Sequence, residues 1–373
     1  MLDNPDSLPC SPRASGRDRR ETQQIDAYRA SFESLPSGLH RFRERFVPRV
    51  GRVGSQEWGA HAPRGTELYG LAGLPEALTR WVDVYLNDEP KLTRLEVVPY
   101  NDPTLEQFLR NQREIEDFSP AQPGDLFEAG GKAMTGLPAD GRLLDNFLHA
   151  AATMRGRYER AYPAKNHQRG HAAFQQMIEG MWAARGDSPP PDRPWSPNPA
   201  PTPPAQPINL AAVRAWFEQH WDVDRMLTYV ALINWTCVWD DSAHNYYLWQ
   251  QGNGKWCLLP WDLDEVFGGW TNKVGSIYAG EQAHPGPFGP NFFKDSFIRA
   301  FRPEVTARVH RLNNTLLHPT NLATHGFTAI TNFAQARFED VNRQCASNGV
   351  RSLKALLPQR AAERAIEERR KVP

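Results

Sequence analysis

The sequence has little of what marks a membrane protein, a disulfide-linked protein or a polyanion-binding protein. Its four cysteines, in 373 residues, form no CxxC pair, so we expect free thiols and a reducing compartment. Its 43 basic and 43 acidic residues leave no net charge to attract nucleic acid or an anionic membrane. No apolar run approaches the roughly 20 residues that span a bilayer, and residues 1–30 lack the apolar core of a signal peptide. We therefore expect a cytoplasmic protein with neither a membrane nor a nucleic-acid partner.

The most informative stretch, from Asn234 to Gly268, contains a predicted β-hairpin. Two aromatic and apolar runs, residues 245–250 and 255–260, are separated by Gln-Gly-Asn-Gly. The dipeptide Asn-Gly is typical of a two-residue type I′ turn. With Asn253 and Gly254 as the two loop residues, Asn245 lies opposite Asp262, and their Cα atoms are about 4.5–5.5 Å apart.

Acidic side chains surround this hairpin. Because side chains alternate along a strand, Asp262 and Asp264 are expected on one face, with Trp261 and Leu263 on the other. Two carboxylates and the amide oxygen of Asn245 form a hard-oxygen site of the kind that Mg²⁺ or Mn²⁺ prefers. Upstream, Asp240 and Asp241 end a helical pattern just before the first strand, which is close enough for them to act at the same place. Each of these residues alone is common in loops and on solvated strands; their convergence favours a site.

The order of these residues resembles a known catalytic arrangement. An Asp, four residues, an Asn, two strands and a further Asp is the order of a protein-kinase catalytic loop and its metal-binding Asp. Closer still is the resemblance to the CotH kinase family of spore-coat proteins. The segments that carry it are Val238-Trp239-Asp240, Asn245-Tyr246-Tyr247-Leu248, Lys255-Trp256, Pro260-Trp261-Asp262-Leu263-Asp264 and Phe267-Gly268.

The resemblance implies an α+β, divergent protein-kinase-like fold with two lobes, one small and sheet-containing and one larger and helical. It implies an ATP- and Mg²⁺- or Mn²⁺-dependent phosphotransferase that phosphorylates Ser or Thr of a protein substrate. By the same resemblance, Asp240 orients the acceptor hydroxyl and Asn245 holds a metal ion. Asp262 bridges metal and phosphates, and Asp264 is a second metal candidate. The choice between Asp262 and Asp264 rests on the hairpin register, which a slip of one residue would undo.

One cation that phosphoryl transfer needs is absent from its expected place. In relatives, a short strand comparable to residues 125–129 often carries a Lys near its end, where this chain has Glu128. Neither Lys91 nor Lys132 lies in a matching motif, and no glycine-rich phosphate loop precedes a strand. Two alternatives therefore stay open: a catalytically silent, kinase-shaped interaction protein, and an AMP transferase on the same fold.

The remaining patterns divide the chain and predict no oligomeric state. Asn209 and Asp222 are predicted helix caps, residues 81–86 and 92–98 are predicted strands of a small-lobe hairpin, and amphipathic patterns predict further helices. The predicted divisions are a disordered or arm-like region (1–65), the small lobe (66–142), a helical segment (143–187), a Pro-rich linker or insertion (188–207), the large lobe with the catalytic loop and hairpin (208–358) and a charged tail (359–373).

Overall fold

The computed structural model describes part of the chain. The described residues are 58–84, 92–111, 124–129, 162–165, 170–186, 207–238, 241, 245–263, 266–267, 275–281, 283–284 and 292–348. Asp240, Asp264, Lys91 and Lys132 lie outside them, as do the predicted arm, the Pro-rich segment and the charged tail.

The described part of the chain contains both α-helices and short antiparallel strands. In chain order they are α1 (Trp58–Leu71), β1 (Thr79–Val84), β2 (Leu92–Val97), α2 (Asp102–Asn111), β3 (Asp125–Glu128), α3 (Ala172–Arg185), α4 (Leu210–His220), α5 (Val223–Thr236), β4 (Tyr246–Gln250), β5 (Trp256–Pro260), α6 (Phe292–Ala300), α7 (Arg302–Asn313), α8 (Pro319–Thr324), a 3₁₀ turn (Thr328–Ile330) and α9 (Thr331–Ser347). The mixture is α+β, as expected. None of the described helices has both the length and the apolar character needed to cross a membrane.

Two small sheets are present in the described part of the chain. Strands β1 and β2 form the predicted antiparallel hairpin, and β3, β4 and β5 form a second antiparallel sheet in that order. Along β4 and β5, side chains alternate between two hydrophobic clusters. Tyr246 and Leu248 face the larger cluster with the helices, whereas Tyr247 and Trp249 face a smaller cluster that includes Tyr100. Burial on both faces explains why these strands are almost continuously apolar.

The register of the β4–β5 hairpin differs from the predicted one by one residue. Gln251 faces Lys255, and the backbone N–H of Gln251 donates to the carbonyl of Lys255 at 2.8 Å. The loop therefore has three residues, with Gly254 in the left-handed region at φ 83°, the form in which a type I turn is followed by a left-handed residue. The side chain of Asn253 accepts a hydrogen bond from the N–H of Lys255 at 2.9 Å, which stabilises this loop. Asn245 consequently lies opposite Trp261 rather than Asp262.

Capping residues fix where the two helices before the hairpin begin. The side chains of Asn209 and Asp222 accept hydrogen bonds from the N–H groups of Ala212 and Arg225, both at 3.1 Å, which confirms both predicted caps. The apolar positions from Phe293 to Leu312 follow one helical spacing, but this stretch forms two helices, α6 and α7. Pro303 lies in the first turn of α7, where it is tolerated but cannot continue a preceding helix.

Candidate functional site

Helix α5 ends just before the predicted catalytic loop, and a buried arginine holds that end. The guanidinium of Arg337, on α9, donates hydrogen bonds to the carbonyl oxygens of Asn234 at 2.6 Å and Trp235 at 3.0 Å. It also donates to the carbonyl of Gly275 at 2.7 Å. A cation at the last carbonyl groups of a helix satisfies acceptors that have no partner within the helix and complements its dipole. Arg337 therefore fixes the end of the helix that leads to Asp240.

The chain that follows β5 returns to the same helix end. The N–H of Phe267 donates to the carbonyl of Thr236 at 2.6 Å, and the amide of Asn234 donates to the carbonyl of Ile277 at 2.9 Å. The indole N–H of Trp235 donates to the side-chain oxygen of Asn313 at 2.8 Å. The segment after β5 and helix α7 are thus both attached to the end of α5.

Asn245 and Asp262 lie close together at the open end of the hairpin. The N–H of Trp261 donates to the carbonyl oxygen of Asn245 at 3.0 Å, so Asp262 follows directly after the residue that faces Asn245. Both have left-handed backbone conformations, with φ of 67° and 51°, which Asn and Asp tolerate better than most residues. The slip in register therefore leaves Asp262 one residue beyond the position that faces Asn245.

The expected alternation of side chains after β5 is wrong. Strand β5 ends at Pro260, and the left-handed conformation of Asp262 turns the chain. As a result, Trp261 packs against the smaller hydrophobic cluster, whereas Leu263 is buried in the larger one. The argument that Trp261 and Leu263 share a face, and that Asp262 and Asp264 share the other, does not apply to a chain that has left the strand.

Unusual backbone conformations concentrate in this region. Among the described residues, the non-glycine residues with positive φ are Cys237, Asn245, Asp262 and Phe267. Such conformations cost on the order of 1–3 kcal/mol each and persist only where the surrounding structure enforces them. For a bulky residue such as Phe267 they are rare. Four of them within the predicted catalytic region are typical of a functional site.

Asp241, the second Asp after α5, forms a buried ion pair. Its carboxylate lies 2.8 Å from the ammonium of Lys294 on α6, and their side chains are only 5% and 4% exposed. Gly280 leaves room for this lysine, since a Cβ there would lie 2.9 Å from Lys294 Cε. Burial raises the pKa of Tyr229 well above its usual value, and the negative charge of Asp241 raises it further. Asp241 thus fixes one buried position within the predicted catalytic loop.

Lys294 was not predicted as part of the site, although the sequence contains a signal for it. It lies between Phe293 and Phe297 on an apolar helical stripe, where residues 293–298 are all buried. A lysine at such a position requires a partner, because a buried unpaired charge is costly. The identity of that partner depends on tertiary contacts.

The side chains present suit a magnesium or manganese ion. Asp262 supplies a carboxylate and Asn245 an amide oxygen, and Mg²⁺ in phosphoryl-transfer sites is bound through one or two carboxylates together with water and phosphates. In the described part of the chain, no group of three His, Cys, Asp or Glu side chains could hold a metal ion. Asp240 and Asp264, the other predicted site residues, lie outside it.

Comparison with known families identifies the segment that contains this geometry. Residues 207–337 match the family model CotH, described as CotH kinase protein. The resemblance to the CotH family is confirmed over this segment. The match runs from the loop before α4 to Arg337 on α9, and includes the hairpin and Lys294. No curated protein matches the chain.

A helix outside the CotH-matching segment contacts the turn that carries Asp262. Helix α1 lies in a stretch whose pattern did not predict it, because Pro63 and three glycines interrupt the apolar spacing. Its Gly65 approaches the turn so closely that a Cβ would lie 2.9 Å from Leu263 Cβ. Only glycine allows helix and turn to approach this closely.

A cavity of about 450 Å³ lies on the other side of α1, bounded by Arg64, Glu67, Glu76 and Leu78 among its lining residues. Burial raises the pKa of Glu76 from 4.5 to about 6, and the nearby charge of Glu67 adds to this. Part of the Glu76 carboxyl population is therefore protonated near neutral pH.

Strand β3 carries Glu128 at the position where a lysine was expected, and a lysine from another segment pairs with it. Glu128 on β3 forms an ion pair with Lys165, a residue that the sequence analysis did not consider. Lys165 has no motif around it; it comes beside β3 only because residues 162–165 pair with that strand.

Proposed function

We propose that this protein is an ATP- and divalent-metal-dependent phosphotransferase that phosphorylates Ser or Thr of a protein substrate. The observation that carries the proposal is the convergence of three segments, the end of α5, the start of β4 and the turn after β5, within the segment that matches the CotH family. Two observations support it: Asp262 directly follows Trp261, whose N–H donates to the carbonyl oxygen of Asn245, and the N–H of Phe267 donates to the carbonyl of Thr236 at the end of α5.

Within this proposal each side chain has a role. Asn245 and Asp262 hold the metal ion, with Asp264 as a second metal ligand, and Asp240 orients the acceptor hydroxyl. When bound, Mg²⁺ or Mn²⁺ neutralises charge on the transferring phosphoryl group. The chain contributes mainly fixed geometry, because phosphoryl transfer depends on positioning and on electrostatic stabilisation. The ties from Arg337 and Phe267 to the end of α5 supply that geometry.

The test is transfer of label to a protein acceptor from ATP labelled at either the α- or the γ-phosphate. The proposal predicts metal-dependent transfer of the γ-label and no transfer of the α-label. Transfer of the α-label would instead indicate an AMP transferase. Transfer of neither label, with nucleotide binding retained, would favour the silent interaction protein.

The informative variant is Asp262→Asn rather than Asp262→Ala. Asn keeps the size of Asp262 and tolerates its left-handed backbone, whereas Ala at φ 51° would add strain. The matched control is Glu218→Gln, which removes a charge from a side chain that is 53% exposed on α4 and that pairs with the exposed Arg214 of the same helix. Asp262→Asn should abolish γ-transfer, and Glu218→Gln should leave it unchanged.

A further inference from the structure

Residues 162–165 extend the β3–β4–β5 sheet beyond β3. Phe127 and Ala164 form an antiparallel bridge, the N–H of Lys165 donates to the carbonyl of Leu126 at 2.8 Å, and the N–H of Glu128 donates to the carbonyl of Pro163 at 3.2 Å. Lys165 is therefore held by the backbone at a defined position beside β3.

The side chains of Lys165 and Glu128 form an ion pair whose two partners differ in exposure. The Glu128 side chain is 11% exposed and that of Lys165 is 26% exposed. A nearly buried carboxylate orients the ammonium, and an ammonium has three N–H donors. The exposed part of Lys165 is accessible to a further acceptor from solution.

The position of the pair on the sheet connects it to the metal-binding turn. Glu128 is the cross-strand partner of Tyr247, so the two side chains lie on the same face of the sheet. The ring of Tyr247 contacts that of Trp261, with centroids 5.3 Å apart, and Trp261 directly precedes Asp262. The ion pair and Trp261, the residue directly before Asp262, thus lie on the same face of the sheet, at the end where β4 begins.

We propose that Lys165 is the cation that contacts the phosphates of the bound nucleotide, and that Glu128 is the residue that positions it. Glu128 is on β3 and Lys165 is on the neighbouring segment. The cation would therefore reach the site from beside the strand rather than from the strand position that carries a lysine in relatives. The inference rests on the proposed function, since it assigns a residue to the nucleotide of that site.

Binding of adenosine, ADP and ATP with Mg²⁺, measured by calorimetry, tests this assignment. A contact to phosphate contributes to ADP and ATP binding but not to adenosine binding. Lys165→Met should therefore weaken ADP and ATP binding by about 10-fold to 100-fold, the equivalent of one charge-assisted hydrogen bond, and leave adenosine binding unchanged. Lys165→Arg should retain most of the affinity. The matched control Lys255→Met removes an ammonium that bonds the carbonyl of Glu218 beyond the closed end of the hairpin, and it should change nothing.

A second variant separates phosphate binding from folding. Lys165→Met leaves the Glu128 carboxylate buried without its cation, whereas Glu128→Gln/Lys165→Gln removes both charges and avoids that cost. The double variant should fold like the wild type and still lose ADP affinity. Unchanged ADP affinity in either folded variant, an equal loss of adenosine affinity, or no nucleotide binding by the wild type would overturn the assignment.

The two proposals can fail separately. If the wild type transfers no γ-label but its ADP binding depends on Lys165, the assignment holds and the proposed function fails. If the wild type transfers γ-label and Lys165→Met does so with an unchanged KM for ATP, the proposed function holds and the assignment fails.

Discussion

Replacing Arg337 by Met should destabilise the protein strongly, because one buried guanidinium serves three backbone carbonyls. The side chain is fully buried and bonds the carbonyls of Asn234, Trp235 and Gly275. Each buried carbonyl left without a donor costs about 1–3 kcal/mol. Met retains the packing of the aliphatic stem. We therefore expect the free energy of unfolding to fall by about 3–5 kcal/mol, in the range seen when one partner of a buried charged network is removed.

Urea denaturation, monitored by circular dichroism, measures this loss of unfolding free energy. The matched control is Arg343→Met on the same helix, because that side chain is 70% exposed and pairs with Asp340 at 3.3 Å. Its loss should change the free energy of unfolding by no more than about 0.5 kcal/mol. Arg337→Lys should be intermediate, since an ammonium cannot reach all three carbonyls. A loss below about 1 kcal/mol for Arg337→Met would refute the reasoning, because water would then be serving those carbonyls.

Two further predictions concern buried carboxyl groups. Lys294→Met leaves Asp241 buried without its cation and should lower the free energy of unfolding by about 3–5 kcal/mol. The double variant Asp241→Asn/Lys294→Met should recover most of that loss. Equal losses for the two variants in urea denaturation would contradict the ion-pair account. The raised pKa of Glu76, about 6 against 4.5, means that the folded state binds more protons between those values. Stability should therefore fall as pH rises from 4.5 through 6, by about 1 kcal/mol after allowance for screening by water. Thermal unfolding of Glu76→Gln should lack this component, and an unchanged pH profile would contradict it.

Local sequence signals were sufficient for most individual elements. Asn209 and Asp222 begin helices because their side chains accept hydrogen bonds from the first turn, and both were recognisable from their position before an apolar pattern. The strands of the β4–β5 hairpin were recognisable from the aromatic and apolar runs on either side of Asn253-Gly254. Helix α3 was predicted from the same stripe of apolar residues that is buried in the structure.

The exact register could not be read from the same residues. A two-residue and a three-residue loop both accept Asn-Gly, and the choice depends on the hydrogen bond between Gln251 and Lys255. The difference shifts every facing pair by one position. The turn at Asp262 was also hidden, since a left-handed Asp is stabilised by its surroundings and leaves no pattern in the sequence.

Charged residues whose partners are distant in the sequence were the least predictable. No spacing rule applies to Lys294, Arg337 and Lys165, because their partners lie on other elements. Charged residues on an apolar helical stripe, as with Lys294, are a usable signal of a buried ion pair but do not identify its partner. Lys165 gave no such signal, because its segment is held beside β3 by an isolated bridge between Ala164 and Phe127. The roles of Asp240, Asn245, Asp262 and Asp264 stay predictions.

The most direct measurement is a single-turnover assay with γ-labelled ATP, Mg²⁺ and a protein acceptor, run on the wild type and on Asp262→Asn at the same protein concentration. The account predicts that the wild type transfers label to Ser or Thr of the acceptor and that Asp262→Asn, still folded, transfers none. Equal transfer by the two proteins would contradict it, because the metal-binding turn after β5 would then have no part in the reaction.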